Sequence, residues 1–254
     1  MDRQRFFEAC NKIINYERTR SGIGTLGEKT LHAILKYYYE PYSDSHEVKL
    51  GNFVADIVGE NGIIEIQTAN FNKLRKKLES FLALTTVTVV YPIPRTKYLI
   101  WLDQSTGETT KKRKSPKTGT PYQIFQELYW IKPLLTHENL RILIVMLDIT
   151  EYRYLNGWSE DRKKGSSRYE RIPTDIIDEV HINSLRDFHK LIPKNLPDEF
   201  TAKDYRLASG LSLRTAQIAL NILHYVNAVE RVGKKGNAFI YKKTLPSPYY
   251  GVLS

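Results

Sequence analysis

The chain has 254 residues, and its 38 lysines and arginines outnumber its 28 acidic residues to give a net charge of +10. This length allows one large domain or two smaller ones, each with its own hydrophobic core. The single cysteine, Cys10, excludes an internal disulfide and a zinc site built from several cysteines. The positive charge favours an anionic partner, and nucleic acid is the first to consider.

The composition also predicts a protein that stays out of membranes. No apolar run approaches the roughly 20 residues of a membrane-spanning helix, and the longest, near Val87 and Ile142, are typical of buried strands. The first residues lead into an amphipathic helix and do not resemble a signal peptide. With one cysteine and no export signal, we expect a cytoplasmic protein.

In chain order, the first two thirds of the sequence predict an α/β unit, which we assign to residues 1–182. Its predicted elements are helices over 3–20 and 25–39, a strand over 46–50, a hairpin over 56–67, a helix over 70–83, strands over 85–91 and 97–102, a helix over 122–129, a strand over 140–149 and an extended region over 169–182. In the basic helix, we expect Leu74, Leu78, Phe81 and Leu82 to face inward and Lys73, Arg75, Lys76 and Lys77 outward.

The hairpin carries acidic residues where apolar ones would be expected. Asn61-Gly62 between β-branched runs is a strong signal for a tight turn. Side chains alternate along a strand, so Glu65 and Gln67 share a face, and a turn over residues 59–62 places Asp56 beside one of them. Adjacent carboxylates repel each other unless a cation lies between them. The pattern therefore predicts a site for a hard metal ion.

A basic run over residues 111–117 holds five lysines and arginines in seven positions. Arg113, Lys114 and Lys117 are candidates for contact with the phosphate backbone of DNA near the acidic hairpin. The alternative interpretation is a solubilising surface loop.

Residues 183–245 predict a second, smaller domain, followed by a tail over residues 246–254. Helices are expected over 184–191, 201–209 and 212–227, then strands over 229–232 and 238–242. Three helices followed by a basic hairpin look like a winged helix-turn-helix module. Residues 185–254 contain 11 basic and 5 acidic residues, so +6 of the net charge lies here.

The third of these helices has two distinct faces. Leu213, Ala216, Ala219, Leu220, Leu223 and Val226 lie on one side, and Arg214, Gln217, Asn221 and His224 on the other. Arg, Gln and Asn are the side chains that make bidentate contacts to bases in the major groove, and Lys234 and Lys235 at the hairpin tip suit phosphate contact. The alternative is a module for dimerisation or protein docking.

The order helix, three strands, helix, strand over residues 25–102 resembles the catalytic core of the PD-(D/E)XK, or restriction-endonuclease-like, nuclease superfamily. On this resemblance Asp56 matches the first motif acid and Glu65 the second, and Glu28 matches an acid that some members supply from the first helix. Gln67 stands where the family usually has a lysine. Residues 27–32, 65–71, 90–93 and 113–116 also resemble an uncharacterised group of bacterial proteins with this core.

The resemblance implies a metal-dependent DNA endonuclease. Asp56, Glu65 and the Ile66 carbonyl would hold Mg²⁺ or Mn²⁺, with Glu28 completing the site and Gln67 orienting the attacking water. The substrate implied is DNA, most simply a duplex, and a homodimer is left open. The alternative, which Gln67 keeps open, is a DNA-binding regulator or accessory protein whose nuclease-like core is inactive.

Overall fold

The computed structural model describes residues 1–21, 29–156 and 167–244. Within these ranges the α-helices are α1 (Arg3–Ser21), α2 (Lys29–Tyr39), α3 (Phe71–Leu82), α4 (Phe125–Leu128), α5 (Ala202–Ser209) and α6 (Leu213–Tyr225). Short 3₁₀-helices occupy Ser43–Ser45, Pro121–Ile124, Tyr129–Leu134 and Leu185–Leu191. The strands are β1 (His46–Leu50), β2 (Phe53–Gly59), β3 (Gly62–Ile66), β4 (Val87–Leu102), β5 (Arg113–Lys114), β6 (Leu140–Tyr154), β7 (Arg168–Ile182), β8 (Glu199–Phe200), β9 (Val229–Lys235) and β10 (Ala238–Lys243).

The main sheet is mixed and has the strand order β1-β2-β3-β4-β6-β7, with β5 paired to β4 outside this path. β3 and β6 both run parallel to β4, whereas β1–β2, β2–β3 and β6–β7 are antiparallel. Helices cover both faces of this sheet, which confirms the predicted α/β class. The predicted succession of helix, three strands, helix and strand is observed as α2, β1, β2, β3, α3 and β4.

β4 is one continuous strand, so the expectation of two separate strands over 85–91 and 97–102 was wrong. The prolines at positions 92 and 94 interrupt the apolar pattern in the sequence. β6 nevertheless pairs with β4 from Val87 to Leu102, and a bulge between Pro94 and Thr96 absorbs the irregularity. Pro92 and Pro94 follow Val90, the last residue of β4 that pairs with β3. Their missing N–H groups therefore remove no hydrogen bond between β3 and β4.

β7 lies at the margin of the sheet and is irregular. Its register with β6 shifts three times, between Met146 and Leu147, Asp148 and Ile149, and Tyr152 and Arg153. β6 itself extends to Tyr154, five residues past its predicted end, because the charged residues that break its apolar run still pair with both neighbouring strands.

The hydrophobic core has a layer on each face of the sheet. On one face α1 and α2 contribute Phe6, Ile13, Ile34 and Leu35. On the other face, side chains of α3, α4 and the C-terminal helices form one continuous cluster that includes Leu78, Phe81, Phe125, Tyr205 and Leu220. The C-terminal segment therefore packs directly against the α/β unit. Among the helices described, none combines the length and the apolar character needed to cross a lipid bilayer.

The C-terminal helices begin and end close to the predicted positions. The Thr201 side chain caps α5 by accepting from the Lys203 amide, and Gly210 ends the helix with a φ of 72°. Ser212 caps α6 by accepting from the Thr215 amide. β8, β9 and β10 form a separate sheet in the order β8-β10-β9.

The inner face of α6 agrees with the prediction except at its first residue. Ala216, Ala219, Leu220, Leu223 and Val226 are buried. Leu213, expected to face inward, is 39% exposed and lines a groove beside the β9–β10 hairpin.

Candidate active site

The β2–β3 hairpin fixes the position of the acidic residues. Its pairs run from Gly59–Gly62 to Ile57–Ile64. Gly62 has a φ of 106°, and a Cβ atom there would lie 2.3 Å from the backbone oxygen of Thr86, so the turn requires glycine. The Ile63 amide donates to the same oxygen at 2.9 Å, which joins the hairpin to the beginning of β4.

Asp56 lies where the two hairpin strands diverge. Its Oδ2 accepts hydrogen bonds from the Ile66 amide at 2.8 Å and from Nε2 of His32 at 3.0 Å. Its own amide donates to Oε1 of Glu65 at 3.2 Å. Side-chain oxygens thus accept the hydrogen bonds that backbone carbonyls accept in a regular β-ladder. Of Glu65 and Gln67, the two neighbours predicted for Asp56, it is Glu65 that Asp56 contacts.

Glu65 is 2% exposed and forms an ion pair with Lys77 of α3. The expectation that Lys77 faces outward was therefore wrong. Position 77 is three residues after Leu74 and four before Phe81, so it borders the apolar stripe that packs on the sheet. Its long side chain reaches Glu65 from that border, whereas Lys73, Arg75 and Lys76 are exposed as predicted.

The environments of the two carboxylates move their pKa values in opposite directions. Burial and the nearby charge of Asp56 raise the pKa of Glu65 to about 7, although Lys77 and the Asp56 amide oppose this. Burial also acts to raise the pKa of Asp56, but the hydrogen bond and charge of His32 and the Ile66 amide outweigh it and lower that pKa. At neutral pH Asp56 is therefore ionised, whereas Glu65 exchanges a proton readily.

Gln67 follows the end of β3, and its side chain contacts the turn that leads into α3. Its backbone amide donates to the Val90 carbonyl at 2.9 Å, and its side-chain amide donates to the Ala69 carbonyl. Ile66, the proposed carbonyl ligand, is paired with Val90 and donates its amide to Asp56. Glu28 lies outside the described residues.

The donor set suits a hard divalent cation that keeps several of its waters. Asp56 and Glu65 supply two adjacent carboxylates, and their mutual repulsion contributes to the raised pKa of Glu65. Within residues 1–21, 29–156 and 167–244, no group of three or more His, Cys, Asp or Glu side chains could hold a metal ion. Mg²⁺ tolerates such a sparse set because water completes its octahedron.

His32 and Lys77 were missed as site residues. His32 was given no role from the sequence, yet α2 places Nε2 of its ring 3.0 Å from Oδ2 of Asp56. The position of Lys77 beside the apolar stripe of α3 was the available signal. For His32 no comparable signal existed, because the crossing of α2 over the hairpin is set by tertiary packing.

The basic run pairs with the distal half of β4. Arg113 and Lys114 form β5, opposite Leu99 and Tyr98, and Lys117 follows in an exposed segment without regular secondary structure. All three predicted phosphate-contacting side chains are exposed.

The predicted DNA-reading residues of the C-terminal segment differ in accessibility. Arg214, Gln217, Lys234 and Lys235 are exposed. Asn221 is half-buried, and its Oδ1 accepts a hydrogen bond from Lys132 at 2.8 Å. A groove of about 560 Å³ between α6 and the β9–β10 hairpin is lined by residues that include Gln217, Asn221, Arg231, Lys235 and Phe239.

The chain is similar to other proteins over most of its length. It is 32% identical over 235 residues to an uncharacterised protein of Treponema pallidum (strain Nichols), covering 88% of each chain. No solved structure matches it. A family described as a domain of unknown function, DUF8091, matches residues 29–183, which include the hairpin, Lys77 and the distal half of β4. The chain belongs to the DUF8091 family.

Proposed function

We propose that this protein is a metal-dependent deoxyribonuclease with a restriction-endonuclease-like core. The observation that carries the proposal is the convergence of Asp56, Glu65 and Lys77 at the carboxyl end of β3. Two adjacent carboxylates can hold a divalent metal ion, and a nearby cation can offset phosphate charge, as metal-dependent hydrolysis of a phosphodiester requires.

The chain's own residues would divide the work. Asp56, held ionised by His32 and the Ile66 amide, would be the fixed ligand of a Mg²⁺ or Mn²⁺ ion, with Glu65 and the Ile66 carbonyl beside it. The bound ion would neutralise phosphate charge and lower the pKa of water at the site. Glu65, with a pKa of about 7 in the metal-free protein, would give up its proton as it takes its place beside the ion.

Lys77 would supply the positive charge that Gln67 cannot. Gln67 donates its side-chain amide to the Ala69 carbonyl, whereas the Lys77 ammonium already lies at Glu65. A cation in this position would stabilise the negative charge that develops on the phosphate oxygens in the transition state.

The C-terminal segment would bring the core to DNA as a winged helix-turn-helix module. In support of this role, α5 and α6 are joined by a short turn at Gly210, and a basic hairpin of β9 and β10 follows them. Arg214 and Gln217 on α6 would read bases, and Lys234 and Lys235 would contact phosphates. Asn221 would first have to release Lys132.

The test is cleavage of supercoiled plasmid DNA with Mg²⁺ or Mn²⁺ by the wild type, Asp56→Asn and Glu65→Gln. We expect cleavage by the wild type and a loss of at least 100-fold in each variant. The matched control is Glu79→Gln, which removes an exposed acid on α3. Equal rates in the wild type and both site variants, or no cleavage with either metal, would reject the proposal.

A second candidate is a DNA-binding regulator with an inactive core. The observation that favours it is the Lys77–Glu65 ion pair, because this cation can itself neutralise the buried carboxylate without a metal. The two candidates differ in metal binding. Isothermal calorimetry with Mn²⁺ should give one or more sites that Asp56→Asn abolishes in the nuclease, and no heat of binding in the regulator.

A further inference from the structure

β3 pairs with one edge of β4, and a basic segment of the chain pairs with the same edge beyond the end of β3. β6 occupies the other edge of β4 along its whole length. β3 covers the first edge as far as Val90, and the same edge then receives hydrogen bonds from Gly119 to the Arg95 carbonyl at 3.0 Å and from Ser115 to the Lys97 carbonyl at 2.7 Å. β5 follows opposite Tyr98 and Leu99. Arg95 is six positions along β4 from Val89, the partner of Glu65, so this segment begins roughly 20 Å past the acidic pair.

The side chains of this segment are strongly basic and open to solvent. We refer to Lys111, Lys112, Arg113, Lys114 and Lys117 as the edge cations; all five are exposed. In the described part of the chain, none of them is within ion-pair distance of a carboxylate, and the Lys112 ammonium lies 4.4 Å from the centre of the Tyr98 ring. Their charge is therefore free for a partner.

A second group of cations lies on the neighbouring strands at the same level. Glu151 of β6 is fully buried, and it contacts Lys97 of β4 at 3.2 Å, Arg171 of β7 at 3.2 Å and Arg153 of its own strand at 2.5 Å. The Lys97 side chain is 26% exposed and the Arg153 side chain 32%, so part of each reaches solvent. These three residues and Glu151 form what we call the Glu151 cluster.

The Glu151 cluster holds more positive charge than its carboxylate requires. One well-placed cation is enough to neutralise a buried carboxylate, and each further cation adds repulsion among the cations themselves. Burial lowers the pKa of Lys97 and Glu151 opposes this, while the charges of Arg171 and Arg153 lower the pKa further. The partly exposed cations of this cluster are able to contact phosphates.

We propose that the edge cations and the Glu151 cluster together form a track for the phosphate backbone of duplex DNA that leaves the Asp56–Glu65 site. The inference rests on the proposed function, since that function supplies the DNA. Along β4, Leu99 lies nine residues after Val90, a distance of roughly 30 Å. This length corresponds to about nine base pairs of duplex at 3.4 Å each.

The test is equilibrium binding of the full chain to a fluorescent duplex of about 30 base pairs, without divalent metal, over a range of salt concentrations. The edge variant is Arg113→Gln/Lys114→Gln/Lys117→Gln. The matched control, Lys12→Gln/Lys49→Gln/Lys76→Gln, also removes three exposed charges, but from α1, β1 and α3. A third variant, Glu151→Gln, increases the positive charge of the cluster, and its folding is checked by circular dichroism.

We expect the edge variant to bind roughly 10- to 100-fold more weakly than the control and its salt slope to fall by about 2 to 3, since each lost phosphate contact lowers the slope by roughly 0.9. Folded Glu151→Gln should bind more tightly than the wild type. An edge variant with the affinity and slope of the control would overturn the track, as would a wild type that does not bind duplex DNA at low salt. Binding that follows these expectations without any cleavage would reject the nuclease and leave the track standing.

Discussion

The ammonium group of Lys77 on α3 pairs with the carboxylate of Glu65 on β3. This contact joins the helix that follows the hairpin to the acidic pair itself. It also places a cation beside the acidic pair, whereas the side-chain amide of Gln67 donates to the Ala69 carbonyl. The helix, and not the strand, therefore provides the positive charge at this site.

Replacing Lys77 with methionine should lower the rate of DNA cleavage by roughly 100-fold, because a positioned donor to the developing phosphate charge is lost. It should also raise the pKa of Glu65 above about 7, since Lys77 acts to lower it. Single-turnover cleavage and carbon-13 NMR titration of the Glu65 carboxyl measure the two effects. Lys76→Met, at an exposed neighbouring position, is the control. Equal rates in the two variants would remove Lys77 from the mechanism.

Gln67→Ala should leave the cleavage rate within roughly three-fold of the wild type, because the Gln67 amide donates to the Ala69 carbonyl and not to the acidic pair. The lost hydrogen bond should lower the free energy of unfolding by about 1 kcal/mol. Urea denaturation and single-turnover cleavage on the same preparation test both statements. A loss of cleavage as large as that of Glu65→Gln would show that Gln67 acts in the chemistry.

His32→Gln should raise the pKa of Asp56. Burial acts to raise this pKa, and the hydrogen bond and charge of His32 are the strongest influences that lower it. A lowered pKa in the folded state stabilises the protein above the ordinary pKa of an aspartate and loses this effect as the pH falls. The variant should therefore be less stable than the wild type near neutral pH, and the difference should shrink as the pH falls below about 4. NMR titration of the Asp56 carboxyl measures the shift, with the exposed His181→Gln as control; an unchanged Asp56 pKa would contradict the assignment.

Glu151→Gln should destabilise the protein most at neutral pH. The surrounding Lys97, Arg153 and Arg171 outweigh the effect of burial and lower the pKa of Glu151 to about 2. Its ionised form therefore stabilises the fold by roughly 3 kcal/mol above the ordinary glutamate pKa of about 4.5, and this contribution disappears as the pH falls towards 2. Urea denaturation at several pH values should show the gap between wild type and variant narrowing with acid. The exposed Glu108→Gln should show no such gap, and a gap independent of pH would count against the charge cluster.

The local signals of the sequence predicted most of the elements, whereas the site depended on packing between them. Asn61-Gly62, Thr201, Gly210 and Ser212 act within a few residues, and the hairpin and helix ends that they predicted are observed. The continuity of β4 was missed because β6, far away in the sequence, carries the strand past its prolines. The contacts of His32 and Lys77 were missed for a related reason. Each depends on how a helix lies across the sheet, which one sequence does not record.

The three register shifts along β7 bear on how this protein avoids aggregation. β7 is a long strand at the margin of the sheet, where unpaired backbone groups could recruit a strand from another molecule. The bulges spoil the regular spacing that such an incoming strand would need, and charged residues such as Arg171, Asp175, Asp178 and Glu179 line the same stretch. The edge of β7 therefore disfavours pairing with a strand of a second copy of the chain. Such a copy would be expected to associate through another surface.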